Sequence, residues 1–196
     1  MSPRPSKDEY YLNIAKAISE RGTCLRRRVG AIIVINDRIV STGYVGAARG
    51  EEHCDDRGEC IRKELRVPSG MFYEICRSVH AEENAIVNAA STGATILGAS
   101  LYIYSAPISK EYYPEGQEPT PLYLPCYRCK KLIINAGLEK VIIAMPQKES
   151  FEKCPELSIQ DTEIKIYDKE DIRKMLREDE KKIMLVIPKF FSEFKK

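Results

Sequence analysis

Four residues in two short segments carry the chemistry of this chain: His80 and Glu82 in His80-Ala-Glu82, and Cys126 and Cys129 in Pro125-Cys126-Tyr-Arg-Cys129. One imidazole and two thiolates are donors that a tetrahedral zinc ion takes, and three protein ligands leave one position for water. Water held there ionises near neutral pH. Glu82, two residues from His80, can take that proton and later return it, so one carboxylate serves as base and then as acid. The set suits hydrolysis at an amino-bearing ring carbon. A closed structural zinc would need a fourth ligand and would leave Glu82 without a task.

These side chains need elements to hold them. Cys126 and Cys129, at i and i+3, share one face of a helix over residues 126–136 that stops at Gly137. Residues 80–90, rich in strong helix formers, read as a second helix opened by His80. If both helices start at the metal, their positive ends favour the thiolate forms. Residues 8–21 place Tyr11, Ile14, Ala15 and Ile18 at helical spacing. Residues 29–35 and 38–44 are β-rich runs around Asn36-Asp37, the signature of a hairpin. Residues 99–105 and 140–145 read as strands, and the helix between them implies a parallel pair. Residues 45–79, rich in glycine, cysteine and charge, read as a long functional loop with one short helix. Residues 162–167 alternate as a half-exposed strand and residues 169–181 form a charged helix. The apolar tail that follows, through Pro188, is expected to cover the core or a subunit contact.

At 196 residues the chain can bury a core without disulfides. It reads as a single domain over 1–196, with a catalytic core over about 8–145 and a C-terminal strand, helix and tail over 146–196. With 31 basic and 29 acidic residues the net charge is +2, so no nucleic-acid partner is expected. No segment reads as a signal peptide or a membrane span, so a cytoplasmic location without a membrane partner is expected. In a reducing compartment the seven cysteines point to metal binding before disulfides. Cys24, Cys54, Cys60 and Cys76, with His53 in reserve, form a second constellation. Four soft donors can close a structural zinc site, and buried free thiols are the other reading. A loop of this length has few apolar side chains with which to order itself, which favours the metal. Cys154 reads as unpaired.

Cys24-Leu-Arg-Arg-Arg-Val29-Gly-Ala, Gly43-Tyr44-Val45-Gly46-Ala-Ala-Arg49-Gly50 and the two segments above together resemble the deoxycytidylate (dCMP) deaminases, within the zinc-dependent cytidine and deoxycytidylate deaminase superfamily. The resemblance implies an α/β fold of three α-β-α layers, the cytidine-deaminase-like fold, with a mixed sheet of about five strands and helices on both faces. It implies a catalytic zinc on His80, Cys126 and Cys129, and Glu82 as proton shuttle. Asn84 would contact the sugar, Ala81 and Gly46 the substrate, and the loop from Gly43 to Gly50 would lie along the nucleotide. Some members hold a second, structural zinc, at positions matching Cys24 and Cys54. Homo-oligomers, dimers or hexamers, are the usual assembly. Phosphate recognition needs fixed cationic donors, and Arg26, Arg27, Arg28 and Arg49 border the expected pocket.

Two departures bear on substrate. Val45 stands where these enzymes usually carry asparagine, which removes a donor and an acceptor. Residues 106–124 are an insertion where the family passes almost directly from strand to Pro-Cys. It offers a lid, a subunit contact, or Tyr123 for stacking on a base; a neutral surface insertion is the alternative. The expected reaction is dCMP to dUMP and ammonia. The alternatives are the same mechanism on another nucleotide, nucleoside or modified base, and a non-catalytic nucleotide-binding module.

Overall fold

The computed structural model describes residues 4–67, 71–109, 111–113, 115, 123–146 and 158–193. Ser6 opens helix α1 (Lys7–Ser19) with a reciprocal capping box: its hydroxyl accepts from the Glu9 N–H, and the Glu9 carboxylate accepts from the Ser6 N–H. The hairpin follows as β1 (Arg27–Ile35) and β2 (Arg38–Tyr44). Its turn residues Asn36 and Asp37 adopt φ of 50° and 60°, the left-handed pair that a two-residue hairpin turn demands and that Asn and Asp tolerate.

Residues 45–79 depart from the expected single-helix loop. Strands β3 (Gly46–Ala47) and β4 (Ser78–Val79) pair antiparallel and tie its two ends together. Between them lie α2 (Cys54–Arg57), α3 (Ile61–Glu64) and a 3₁₀ turn (Tyr73–Ile75). Then come α4 (Ala81–Thr92), β5 (Ser100–Pro107), α5 (Tyr127–Asn135), β6 (Lys140–Pro146), a second 3₁₀ turn (Ile159–Asp161), β7 (Thr162–Asp168) and α6 (Lys169–Glu193).

The main sheet has five strands in the order β2-β1-β5-β6-β7. Only β5 and β6 run parallel, as their α5 crossover requires, and the other neighbours are antiparallel. Successive strand residues face opposite layers. Ile32, Val34, Tyr102, Tyr104 and Ile142 pack with Leu12 and Ala15 of α1. Ala31, Ile33, Leu101, Ile103 and Ile143 pack with Ala81 and Ala85 of α4, Ile133 of α5 and Ile172 of α6. The result is the expected three-layer α-β-α sandwich. Among the described residues no helix is long and apolar enough to cross a membrane.

Helix α4 is held to the sheet's edge with unusual closeness. Ala81, Ala85 and Ala89, at i, i+4 and i+8, are fully buried and present only methyl groups to β2. Opposite them sits Gly43, where a Cβ would overlap the Ala81 carbonyl and the Ala85 amide. Edge-strand carbonyls normally need water or another strand. Here Asn84 Nδ2 donates to the Tyr44 carbonyl and Asn88 Nδ2 to the Thr42 carbonyl, both at 2.8 Å, while Ser41 Oγ donates to the Ala85 carbonyl at 2.6 Å. The helix that begins at His80 therefore has a fixed place on β2.

Helix α5 is fixed from the other side. Lys130, almost wholly buried, reaches Asp179 of α6 at 2.6 Å. Helix α6 continues past residue 181, where the sequence suggested an end, and runs through Pro188 to Glu193. The proline deletes one backbone bond without ending the helix. Of the apolar tail, Ile183 is half-buried and Met184 is exposed. The side chains of residues 185–193 are outside the description, as are Cys154 and most of the insertion between residues 114 and 122.

Candidate zinc and substrate site

The four chemical residues converge where two helices begin. His80 is the N-cap of α4 and Cys126 the N-cap of α5, where Cys126 Sγ accepts from the Cys129 N–H at 3.5 Å. His80 Nδ1 lies 3.4 Å from Cys126 Sγ and 3.4 Å from Cys129 Sγ. A tetrahedral zinc with ordinary bonds to nitrogen and sulfur separates such donors by about 3.5 Å. The three donor atoms lie within 4.8 Å of one another and form the only such His, Cys, Asp or Glu group among the described residues. The site therefore fits zinc by donor type, number and spacing.

Proton affinities follow from the same crowding. The hydrogen bond with Cys129 holds the Cys126 thiol well below the ordinary thiol range against the effect of burial, and His80 adds to it. That bond and burial together push Cys129 upward. Burial by itself would lower His80, but its contact with Cys126 reverses the sign and leaves the imidazole raised. A bound zinc ion takes both sulfurs as thiolates and the imidazole as neutral.

Glu82 has no solvent exposure. Burial raises its carboxyl above the ordinary range, with the His80 charge opposing. Oε1 accepts from Tyr123 Oη at 2.9 Å, while Oε2 has no hydrogen-bond partner among the described residues. Burial holds the Tyr123 phenol well above its ordinary value, so this hydroxyl stays a donor. The neighbouring Glu83 pairs with Arg128 of α5, tying the two helix starts together.

A cavity of about 470 Å³ opens beside these groups, within the usual size of a small-molecule site. Arg26, Arg27, Arg57, Arg62 and Arg77 line it, against Glu59 and Glu64. Of the arginines expected at phosphate, Arg26 lines the cavity and lies 4.0 Å from the centroid of the buried Tyr113 ring. Arg28 is turned to the Gly22 carbonyl, and Arg49 donates to Asn88 Oδ1 at 2.7 Å; neither lines the cavity. Ala81, Val45 and Tyr123 line it, whereas Gly46 is in the β3–β4 pairing and Asn84 donates through Nδ2 to β2. Val45 is bound through its backbone to Val29 and Thr23, so the side chain at the usual asparagine position is part of the apolar wall.

Sequence reasoning missed Tyr73 and Arg62. The Tyr73 ring meets His80 edge-on, with centroids 4.9 Å apart, and the Arg62 guanidinium lies 4.4 Å from the Tyr73 centroid. Arg62 is 3 % exposed and donates to the carbonyls of Met71 and Phe72 at 2.6 and 2.9 Å. No spacing rule points to either, because both come from the irregular segment between β3 and β4.

The cysteines of the second constellation, Cys24, Cys54, Cys60 and Cys76, line the same cavity. No three of their sulfurs lie as close together as the donors at His80. Burial raises the thiols of Cys54 and Cys76, and each senses Cys24 electrostatically. His53 does not line the cavity, and its Nδ1 lies 3.2 Å from Thr23 Oγ1.

Residues 5–145 match the family profile described as the cytidine and deoxycytidylate deaminase zinc-binding region. The deoxycytidylate deaminase of Mycobacterium phage D29 is 35% identical over 144 residues, which cover 71% of this chain and 94% of that protein. The deoxycytidylate deaminase of Schizosaccharomyces pombe is 30% identical over 139 residues, 71% of this chain and 37% of that protein's length. Among solved structures, the dCMP deaminase of cyanophage S-TIM5 in complex with dCMP and dUMP aligns over 71% of this chain and 81% of that one. Its sequence identity is 26% and its TM-score 0.46.

Proposed function

The chain belongs to the cytidine and deoxycytidylate deaminase zinc-binding family, and we propose that it hydrolyses the amino group of a cytosine nucleotide, converting dCMP and water to dUMP and ammonia. The observation that carries this reading is the placing of a wholly buried carboxylate, one oxygen of which has no hydrogen-bond partner among the described residues, beside three donors spaced for zinc. Zinc on His80, Cys126 and Cys129 would supply a water acidified to near neutrality. Glu82 Oε2 would take a proton from that water and deliver it to the ring nitrogen N3, then take the remaining proton from the new C4 hydroxyl and pass it to the departing amine. The carbon–oxygen bond forms at C4 and the carbon–nitrogen bond breaks, so the reaction needs no further reactant.

A 5′-phosphate is the part of the substrate that the arginine-lined wall suits. Arg26 and Arg62 are close enough for the Arg26 charge to disfavour the Arg62 cation, which burial already lowers. An anion between such groups relieves that repulsion. In this reading the protein is cytoplasmic and homo-oligomeric.

A panel of cytosine, adenine and guanine compounds, each with and without 5′-phosphate, tests the substrate. Loss of cytosine absorbance and release of ammonia are expected with dCMP, with kcat/KM at least about a hundredfold below it for deoxycytidine, the scale of lost charged hydrogen bonds. Equal turnover of the free nucleoside would overturn the phosphate assignment, and turnover of a purine alone would overturn the cytosine one.

A second zinc on Cys24, Cys54, Cys60 and Cys76 belongs to the same reading. Four cysteines lining one cavity, three of them in the segment of short elements between β3 and β4, provide a closed set of soft donors that the ion would draw together. Metal analysis should then return two zinc ions per chain and one after Cys60→Ser; a single zinc in the parent protein ends this part of the reading.

A further inference from the structure

Tyr123 comes from the insertion that separates β5 from Pro125, three residues before Cys126. Its ring packs against the apolar cluster under α4 and α5, and the Arg27 guanidinium lies 5.5 Å from its centroid. Arg27 is itself tied by Nε to Ser105 Oγ at 3.0 Å. The ring is thus held by its surroundings, while the hydroxyl donates to Glu82 Oε1 at 2.9 Å. Oε2 has no partner among the described residues. One hydrogen bond therefore makes the two oxygens of a wholly buried carboxylate inequivalent.

We propose that Tyr123 is a positioning residue for the proton shuttle, fixing Glu82 through Oε1 and leaving Oε2 as the oxygen that takes and returns the proton. This rests on the reading of Glu82 as the shuttle. Proton transfer between heavy atoms falls off steeply once the donor and acceptor leave hydrogen-bond reach, so freedom about the end of the Glu82 side chain is costly. An insertion outside the family's usual path has in this way supplied a hydroxyl that the zinc donors and Glu82 do not themselves provide. The contact sets how the catalytic carboxylate is aimed, a role different from stacking on the base.

Tyr123→Phe keeps the ring and removes only the hydroxyl. In the zinc-loaded full chain, kcat on dCMP should fall about tenfold with KM changed by less than about twofold, and zinc content should stay the same. In a Glu82→Asp background, where the shortened carboxylate no longer reaches the hydroxyl, Tyr123→Phe should cost nothing further. A readout independent of turnover is the ¹³C signal of the Glu82 carboxyl, identified as the one lost in Glu82→Gln, which should move in Tyr123→Phe. An unmoved carboxyl signal overturns the proposal whatever the kinetics. So does a loss carried by KM alone, which would make Tyr123 a substrate contact, or an equal loss in both backgrounds. A parent protein inactive on every cytosine compound defeats the deaminase reading instead, and the carboxyl signal still decides the contact.

Discussion

Glu82→Gln should retain zinc and fold while losing at least about a thousandfold in kcat, the range that positioned acid–base groups contribute. The substitution is nearly isosteric, and residue 82 is wholly buried on a helix whose place on β2 is fixed by other residues, Asn84, Asn88 and Ala85. The amide oxygen can still accept from Tyr123, so the neighbourhood survives. What disappears is the wholly buried carboxylate that can accept a proton and give it back beside the proposed zinc donors. Stability should not suffer in the metal-free protein. The folded-state pKa of Glu82 lies above its ordinary value, so the ionised carboxylate costs stability once the pH rises past the unfolded pKa, and a neutral amide removes that cost. Absorbance assays of dCMP loss, metal analysis and thermal melts check the three parts. Turnover above about one per cent of the parent enzyme would end the assignment of Glu82 as shuttle.

Much of the site was legible because it is local. His80, Glu82, Cys126 and Cys129 occur at spacings that place them at the first turns of two helices, and both helices begin within a residue of the expected position. The hairpin was legible for the same reason: Asn36-Asp37 tolerates the left-handed backbone that the turn needs. What the sequence hid is set by side-chain contacts that spacing does not reveal. Arg28 and Arg49 sit in segments that border the pocket, yet their guanidiniums go to the Gly22 carbonyl and to Asn88. Asn84, expected at the sugar, donates one N–H to an edge carbonyl of β2, a second task that spacing does not show. Tyr123 was readable as an aromatic near the zinc, but its hydroxyl contact with Glu82 depends on how the insertion returns to Pro125. Periodicity carries no information about such pairings: those of Arg49, Asn84 and Tyr123 join residues 39, 40 and 41 positions apart, and the Arg28–Gly22 contact, 6 apart, depends on the direction a side chain takes.

Removing zinc should stop turnover and lower Tm by roughly 10 °C. An ion held at a thousand times its dissociation constant stabilises a protein by about 4 kcal/mol, and each kcal/mol moves Tm by about 2–4 °C at this chain length. The structural reason is that the donors stand at the first turns of two helices, α4 and α5, that share one apolar cluster, so an ion there ties both helix starts to it. His80 begins α4, held to β2, and Cys126 begins α5, held by Lys130 to α6; a zinc ion on the three donors would add to the Glu83–Arg128 pair, the Tyr123–Glu82 hydrogen bond and the shared apolar packing at the two helix starts. Without the metal, a thiolate-favouring Cys126, a buried carboxyl and a raised imidazole share one small volume, with the Cys129 hydrogen bond and the His80–Cys126 contact to offset the buried charge. Dialysis against a zinc chelator, followed by melts with and without added zinc, measures the change, and readdition should restore both Tm and turnover. Cys129→Ser should reproduce the loss without a chelator, since a buried hydroxyl does not replace a thiolate on zinc. A stripped protein with unchanged Tm and full turnover would show that His80, Cys126 and Cys129 hold no functional metal, and the hydrolytic reading built on them would fall with it.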